Sequence, residues 1–124
     1  MMKQLLILFF SSLLFINCGK AQGIKTITTQ KLKELLSKDK IQLVDVRTPS
    51  ELRYGFIESS LFINFFDRDF TEKAVSKLDK NKPVYLYCRS GNRSGKATKM
   101  LQEKGYEVYN VLGGYNKWKK ENKQ

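Results

Sequence analysis

The chain has 124 residues, enough for one ordinary domain, and its 41% hydrophobic and 28% charged residues are typical of a globular protein. It contains no histidine, which excludes catalysis that depends on an imidazole base. The net charge of +11 includes no dense basic run with interleaved aromatic residues, so it favours small anions or acidic partners over nucleic acid.

Residues 1–17 have the pattern of a secretory signal peptide. A basic start at Lys3 precedes an apolar run, residues 5–16, which only two serines interrupt. This run is too short to cross a bilayer as a helix, which needs about 20 residues. We therefore expect the leader to be removed and the rest of the chain to lie outside the cytoplasm.

Two processing sites are compatible with this leader. Cleavage before Cys18 would free that cysteine for lipid attachment, as in bacterial lipoproteins, and would leave residues 18–23 as a short linker. Cleavage after Ala21 would follow the small-x-small rule and remove residues 1–21. The first site is slightly favoured, which predicts an exported protein, periplasmic or membrane-anchored through a lipid on Cys18, from a bacterium.

The body of the chain alternates strand-like and helix-like segments. Apolar runs with branched residues predict strands at 41–46, 84–87 and 108–111, a shorter strand at 61–63 and a weak edge strand at 25–27. Segments with helical spacing lie between them, so we expect an α/β sandwich around a mainly parallel sheet. Sites in such sheets form beyond the carboxyl ends of the strands.

Two predicted helices lie close to those strand ends. The segment Thr48-Pro49-Ser50-Glu51 begins one of them, with a capping hydroxyl, a proline at the first helical position and a glutamate at the third. The other follows the 84–87 strand. It has Ala97, Met100 and Leu101 on one apolar face and Gly105 at its end.

The most informative stretch is Cys88-Arg89-Ser90-Gly91-Asn92-Arg93-Ser94, where a predicted strand turns into a helix. Backbone N–H groups of residues 89–94, the positive helix end and the two arginines can together stabilise a thiolate. Because we expect Cys18 to be lipidated or removed, Cys88 would have no disulfide partner. We therefore favour a reactive, partly exposed thiol over a buried inert one.

The spacing within this loop distinguishes two kinds of chemistry. Phosphatases with a cysteine loop place an arginine after five intervening residues, which would be position 94, but a serine stands there. Arg93 comes one place early, so the loop should cradle a smaller group than a phosphate. A single extra sulfur atom on Cys88 fits that description better.

The residues 88–94 resemble the active loop of the rhodanese family. The segment Asp45-Val46-Arg47-Thr48-Pro49-Ser50-Glu51-Leu52 is similar to the first signature of that family, and Leu112-Gly113-Gly114-Tyr115 with Trp118 resembles its C-terminal signature. Three motifs in the right order cover residues 24–122. The resemblance implies a rhodanese-like three-layer sandwich in which a mainly parallel sheet is flanked by helices.

One segment departs from the family pattern. The family commonly has Gly-His-Ile-Pro-Gly-Ala after the first signature, whereas this chain has Gly55-Phe56-Ile57-Glu58-Ser59-Ser60. The histidine and the Gly-Ala turn are absent. This departure bears on substrate contacts and on the local loop geometry, and it leaves the nucleophile intact.

The resemblance implies transfer of a sulfane sulfur through a persulfide on Cys88, without cofactor or metal. The donor would be a small anion such as thiosulfate, and the acceptor cyanide or a thiol, including a protein thiol. Arg89 and Arg93 would attract the donor, or one of them would hold the loop through Asp45 or Glu51. Arg47 is favoured as an ion-pair partner, and Asp45 as a brace. Ser90 and Ser94 could donate hydrogen bonds to the anion, although loop filling or helix capping is favoured for Ser94.

Other functions remain open from the sequence. A noncatalytic rhodanese-like module that binds a partner or senses sulfur is the main alternative, and the altered 55–60 segment favours it mildly. A phosphatase or arsenate reductase is disfavoured by the early Arg93. A thiol-disulfide oxidoreductase is disfavoured because the chain has no Cys-x-x-Cys pair.

Overall fold

The computed structural model describes residues 23–123, so the predicted leader, Cys18 and both cleavage sites lie outside it. Strands and helices alternate along the described part. The strands are β1 (Lys25–Ile27), β2 (Gln42–Asp45), β3 (Leu61–Phe62), β4 (Val84–Tyr87) and β5 (Val108–Val111). The helices are α1 (Thr29–Lys38), α2 (Pro49–Leu52), α3 (Phe70–Lys77), α4 (Asn92–Glu103) and α5 (Gly114–Glu121).

The five strands form one sheet in the order β1-β5-β4-β2-β3, and every pair between residues 23 and 123 is parallel. The expectation of an α/β fold with a mainly parallel sheet is confirmed. In the register of β2 and β4, Asp45 lies beside Tyr87, and the Val46 N–H donates to the Tyr87 carbonyl at 3.0 Å. The segments that follow both strands therefore leave the sheet side by side.

Both faces of the sheet are covered, which explains why β4 is apolar throughout. Val84, Leu86 and Cys88 point into one core with residues of α3 and α4. Tyr85 and Tyr87 point into the opposite core with residues of α1 and α5. A parallel strand buried on both sides gives a continuous apolar run instead of an alternating one.

Helix α4 differs from the prediction at one position. Met100 was expected on the buried face, but it is 36% exposed, whereas Thr98 is fully buried. The buried face consists of Ser94, Ala97, Thr98 and Leu101, spaced by three or four residues, and Met100 lies off this stripe. The helix ends at Glu103, just before Gly105 with φ +96°, as expected.

None of the helices within residues 23–123 is long and apolar enough to span a membrane.

Candidate active site

A sulfur cradle, which we define as residues 88–94, forms where β4 turns into α4. Cys88 Sγ accepts hydrogen bonds from the Gly91 N–H at 3.1 Å and from the Ser94 N–H and hydroxyl, both at 3.4 Å. Gly91 makes this turn with φ +114°, a region that favours glycine, and immediately precedes α4. Several donors therefore converge on one sulfur atom.

These donors change the acidity of the sulfur. Burial raises the pKa of Cys88, but hydrogen bonds from the Ser94 hydroxyl and from the N–H groups of Ser94, Gly91 and Ser90 outweigh it. The net pKa lies below the ordinary value of a thiol. The cradle thus favours the thiolate without an imidazole.

The expectation that Cys88 is partly exposed was wrong, because the residue is only 1% exposed. Its side chain continues the alternation of Val84 and Leu86 and points into the core beneath the loop. The side chains of Arg89, Ser90 and Asn92 are instead exposed around it. A reagent must enter between the loop residues to reach the sulfur.

Ser94 differs from the favoured prediction of loop filling or helix capping. Gly91 is the capping residue of α4, and Ser94 lies in its first turn, fully buried against the sulfur. Its hydroxyl also donates to Asn110 Oδ1 at 2.6 Å. Asn110 was missed by sequence reasoning, although a polar residue inside the apolar run 108–111 was a usable signal.

Arg93 is bound to a carboxylate rather than free. Its guanidinium donates to Glu51 Oε1 and Oε2, each at 2.8 Å. This ion pair is the main cause of a Glu51 pKa of about 2, and bonds from the Thr48 N–H and hydroxyl lower it further. Arg93 therefore ties α4 to α2 and holds the loop.

Arg89 has a different environment, an open cavity that we call the cationic cavity. It has a volume of about 450 Å³ and is lined by Arg89, Arg53 and Lys119. Glu51 also lines it, but its carboxylate is already bound by Arg93. Within residues 23–123, no carboxylate lies within 4.0 Å of these three cations. The cavity can therefore attract an anion.

Asp45 and Arg47 form a buried ion pair beside the cradle, the pairing favoured for Arg47. Arg47 Nη2 lies 2.7 Å from Asp45 Oδ2, and it also donates to the Gly55 carbonyl at 2.8 Å. The Arg47 guanidinium carbon lies 4.4 Å from the centre of the Tyr115 ring. This pair connects the end of β2 to the 55–60 segment and to α5.

The start of α5 holds the other side of the loop. The Tyr115 N–H donates to the Cys88 carbonyl at 2.8 Å, and the Asn116 N–H donates to the Arg89 carbonyl at 3.0 Å. A Cβ on Gly114 would lie 2.5 Å from the Cys88 carbonyl oxygen, so only glycine allows this approach. Gly114 thus lets the start of α5 pack against the cysteine loop and hold it.

The 55–60 segment makes a turn although it lacks the Gly-Ala of the family pattern. Ser59 adopts φ +69°, a conformation that favours glycine. Tyr87 stabilises the segment, since its hydroxyl accepts from the Ile57 N–H at 3.0 Å and lies 2.7 Å from the Ser60 hydroxyl. The turn is therefore held by side chains of the sheet and of the segment itself.

Comparison with known proteins agrees with this geometry. The family described as the Rhodanese-like domain matches residues 28–121. The putative sulfurtransferase YtwF of Bacillus subtilis is 40% identical over 101 residues, covering 81% of this chain and 95% of that protein. The thiosulfate sulfurtransferase GlpE of Coxiella burnetii is 34% identical over 97 residues, covering 77% of this chain and 87% of that protein.

A solved structure is similar as well. The crystal structure of a rhodanese-like domain protein from Staphylococcus aureus superposes with a TM-score of 0.70 at 35% identity, covering 77% of this chain and 91% of that one. This likeness agrees with the family match, and the relatives named sulfurtransferase support a rhodanese-type enzyme. The chain belongs to the rhodanese-like domain family.

Proposed function

We propose that this domain is a sulfurtransferase that carries a sulfane sulfur as a persulfide on Cys88. The observation that carries the proposal is the convergence of hydrogen-bond donors on Cys88 Sγ, which lowers its pKa in a chain without histidine. Relatives named sulfurtransferase add support at 33–40% identity.

In the first half-reaction, the Cys88 thiolate attacks the outer sulfur of an anionic donor such as thiosulfate. A bond forms between Sγ and that sulfur, the S–S bond of the donor breaks, and sulfite leaves with the electron pair. The product is a Cys88 persulfide anion. The N–H groups of Gly91 and Ser94 are placed to stabilise negative charge at the cradle.

In the second half-reaction, a thiolate or cyanide attacks the terminal sulfur. A bond forms between the acceptor and that sulfur, and the S–S bond between it and Cys88 Sγ breaks. The acceptor leaves as a persulfide or thiocyanate, and the Cys88 thiolate is restored. Both steps are two-electron substitutions at sulfur, so the cycle needs no external oxidant or reductant. A protein thiol that can reach the cradle would serve equally well as acceptor.

The two arginines of the loop take different roles in this proposal. Arg89, with Arg53 and Lys119, attracts the donor into the cationic cavity. The volume of this cavity, about 450 Å³, lies in the range of about 300–1,000 Å³ that is usual for small-molecule sites. Arg93 holds the loop through Glu51, and the Asp45–Arg47 pair braces it.

The decisive assay is sulfur transfer from thiosulfate to cyanide, with the Cys88→Ser variant as control. Thiocyanate formation by the wild type alone supports the proposal. Turnover of a phosphate ester or arsenate that depends on Cys88, without thiocyanate formation, would replace it with the phosphatase or arsenate reductase alternative.

A noncatalytic module is the second candidate, and the 1% exposure of Cys88 is the observation that favours it. Such a module would bind a partner or sense sulfur without turnover. Single-turnover measurements separate the two, because a sensor would keep its persulfide in the presence of excess cyanide or thiol, whereas a transferase would lose it.

We further propose that the domain acts outside the cytoplasm, anchored through a lipid on Cys18. The basic start and apolar run of residues 1–17 support this proposal. Labelling with a radioactive fatty acid in a bacterial host tests it. Label on the wild type but not on Cys18→Ala supports lipidation, and cleavage after Ala21 without label contradicts it.

A further inference from the structure

The hydroxyl of Ser94 has one proton and two neighbouring acceptors. Asn110 Oδ1 lies 2.6 Å from Ser94 Oγ, and Cys88 Sγ lies 3.4 Å from it. Ser94 is fully buried and Asn110 is 5% exposed. A single proton cannot make a full hydrogen bond to both partners. The sulfur and the amide oxygen therefore compete for it.

The hydrogen bond of the Asn110 amide nitrogen sets the orientation of this amide. Asn110 Nδ2 donates to the Gly91 carbonyl at 3.2 Å, so Oδ1 must face Ser94. The absence of a side chain at Gly95 leaves room for this arrangement, because a Cβ there would lie 3.3 Å from Nδ2. Strand β5, which pairs Asn110 with Leu86 of β4, fixes the backbone beneath it.

The charge on the sulfur decides the competition. A neutral thiol is a weak acceptor, so the shorter bond to the amide oxygen holds the proton. A sulfur anion accepts a charge-assisted bond, which is about twice as strong as a neutral one. We propose that Asn110 is a positioning residue: its amide oxygen accepts the hydrogen bond of the Ser94 hydroxyl while Cys88 is a thiol, and the hydroxyl turns to donate to the sulfur when Cys88 becomes an anion.

This inference deepens the proposed function, on which it rests only in treating Cys88 as the reacting group. One covalent bond breaks in the step, the S–H bond of Cys88, whose proton leaves to solvent. The Ser94 hydroxyl keeps its own proton and only rotates from Asn110 Oδ1 toward Cys88 Sγ. The variants below leave the charged groups around the cradle unchanged. These groups are Arg89 and Arg93 of the loop, Glu51 of α2, and Asp45 and Arg47 at the end of β2.

A double-mutant cycle on the full chain tests the coupling. The Cys88 pKa is read from the ultraviolet absorbance of the thiolate, as a difference from Cys88→Ser, in wild type, Asn110→Leu, Ser94→Ala and the double variant. Leucine removes the competing acceptor, so we expect Asn110→Leu to lower the Cys88 pKa by about half a unit to one unit, the size of one hydrogen bond. Ser94→Ala should raise it.

The double variant gives the critical comparison. In the Ser94→Ala background, Asn110→Leu should no longer lower the Cys88 pKa, since there is no hydroxyl proton to release. An equal lowering in both backgrounds, or no change in either, would overturn the inference. Thermal unfolding checks that each variant is folded, and Asn110→Ala replaces Asn110→Leu in the cycle if the leucine does not fit.

The cycle also separates this inference from the proposed function. If the wild type transfers no sulfur but the coupling between positions 94 and 110 is present, the inference holds and the transferase proposal fails. If the wild type transfers sulfur and the coupling is absent, only the role of Asn110 is rejected.

Discussion

The sulfur cradle and the cationic cavity lie side by side, and they are built in opposite ways. In the cradle, Gly91 and Ser94 donate inward to the sulfur, and Arg93 is bound to Glu51. In the cavity, Arg53, Arg89 and Lys119 have no carboxylate partner among residues 23–123, since the Glu51 carboxylate that also lines the cavity is bound by Arg93. The difference indicates that contacts within the protein hold the cradle, whereas the three cations of the cavity are not neutralised by any carboxylate of the described residues.

The largest expected effect lies in the cradle. Cys88→Ser should abolish sulfur transfer, because the hydroxyl of serine is not ionised at neutral pH and cannot replace the thiolate. The fold should survive, since the change is nearly isosteric and the donors of the cradle can bond to oxygen. Transfer kinetics together with thermal unfolding check both parts. Transfer that persists in this variant would remove Cys88 from the mechanism.

Substitution of the two loop arginines distinguishes the cradle from the cavity. Arg93→Ala leaves Glu51 without its partner and loosens the loop, so it should lower both kcat and the unfolding free energy, the latter by about 1–3 kcal/mol. Arg89→Ala should raise KM for an anionic donor, with a smaller loss of kcat and an unchanged unfolding free energy. Steady-state kinetics and urea unfolding of the two variants form a matched pair. Equal losses in both would show that the cradle and the cavity are not built differently.

The pH dependence of the unfolding free energy tests the Arg93–Glu51 pair through its carboxylate partner, Glu51. The folded-state pKa of Glu51 is about 2, below the about 4.3 of an unperturbed glutamate. The ionised Glu51 carboxylate therefore contributes fully to the unfolding free energy above about pH 4.3, and this contribution is lost as the pH falls toward 2. The unfolding free energy of Glu51→Gln should not show this decrease at low pH, because glutamine does not ionise. Urea unfolding from pH 6 to pH 2 should thus show the two proteins converging, and parallel curves would contradict the assignment.

The smallest expected effect lies in the 55–60 segment, outside both regions. Ser59→Gly should stabilise the protein by up to about 1 kcal/mol, because glycine adopts φ +69° without a steric penalty. Ser59→Ala is the control, since it keeps the penalty and should give no gain. Sulfur transfer should be unchanged in both. A glycine variant no more stable than the alanine variant would show that this turn carries no strain.

Much of the fold was predictable because the sheet is parallel and buried on both faces. Continuous apolar runs at β2, β4 and β5 therefore identified the central strands, and Cys88 was correctly placed after one of them. Pattern reasoning was wrong about Met100, because Thr98 packs inward instead. A hydrophobicity pattern does not show when the hydroxyl of a threonine is satisfied within the helix, as here by the Ser94 carbonyl.

The site was predictable as a set of residues but not as an arrangement. The loop motif identified residues 88–94, yet the roles of Arg89 and Arg93 could not be divided, because Glu51 lies 42 residues from Arg93 along the chain. Asn110 was missed for the same reason: its partners lie on another element. Such pairings depend on how α2, α4 and β5 meet, which local sequence does not encode.

Intact mass spectrometry shows whether Cys88 takes up a sulfane sulfur as a persulfide. The full chain and its Cys88→Ser variant are treated with thiosulfate and then with cyanide. We expect the mass of the wild type alone to increase by one sulfur atom, and cyanide to reverse this increase. A folded, reduced wild type that gains no sulfur, or a gain that is equal in Cys88→Ser, would contradict it.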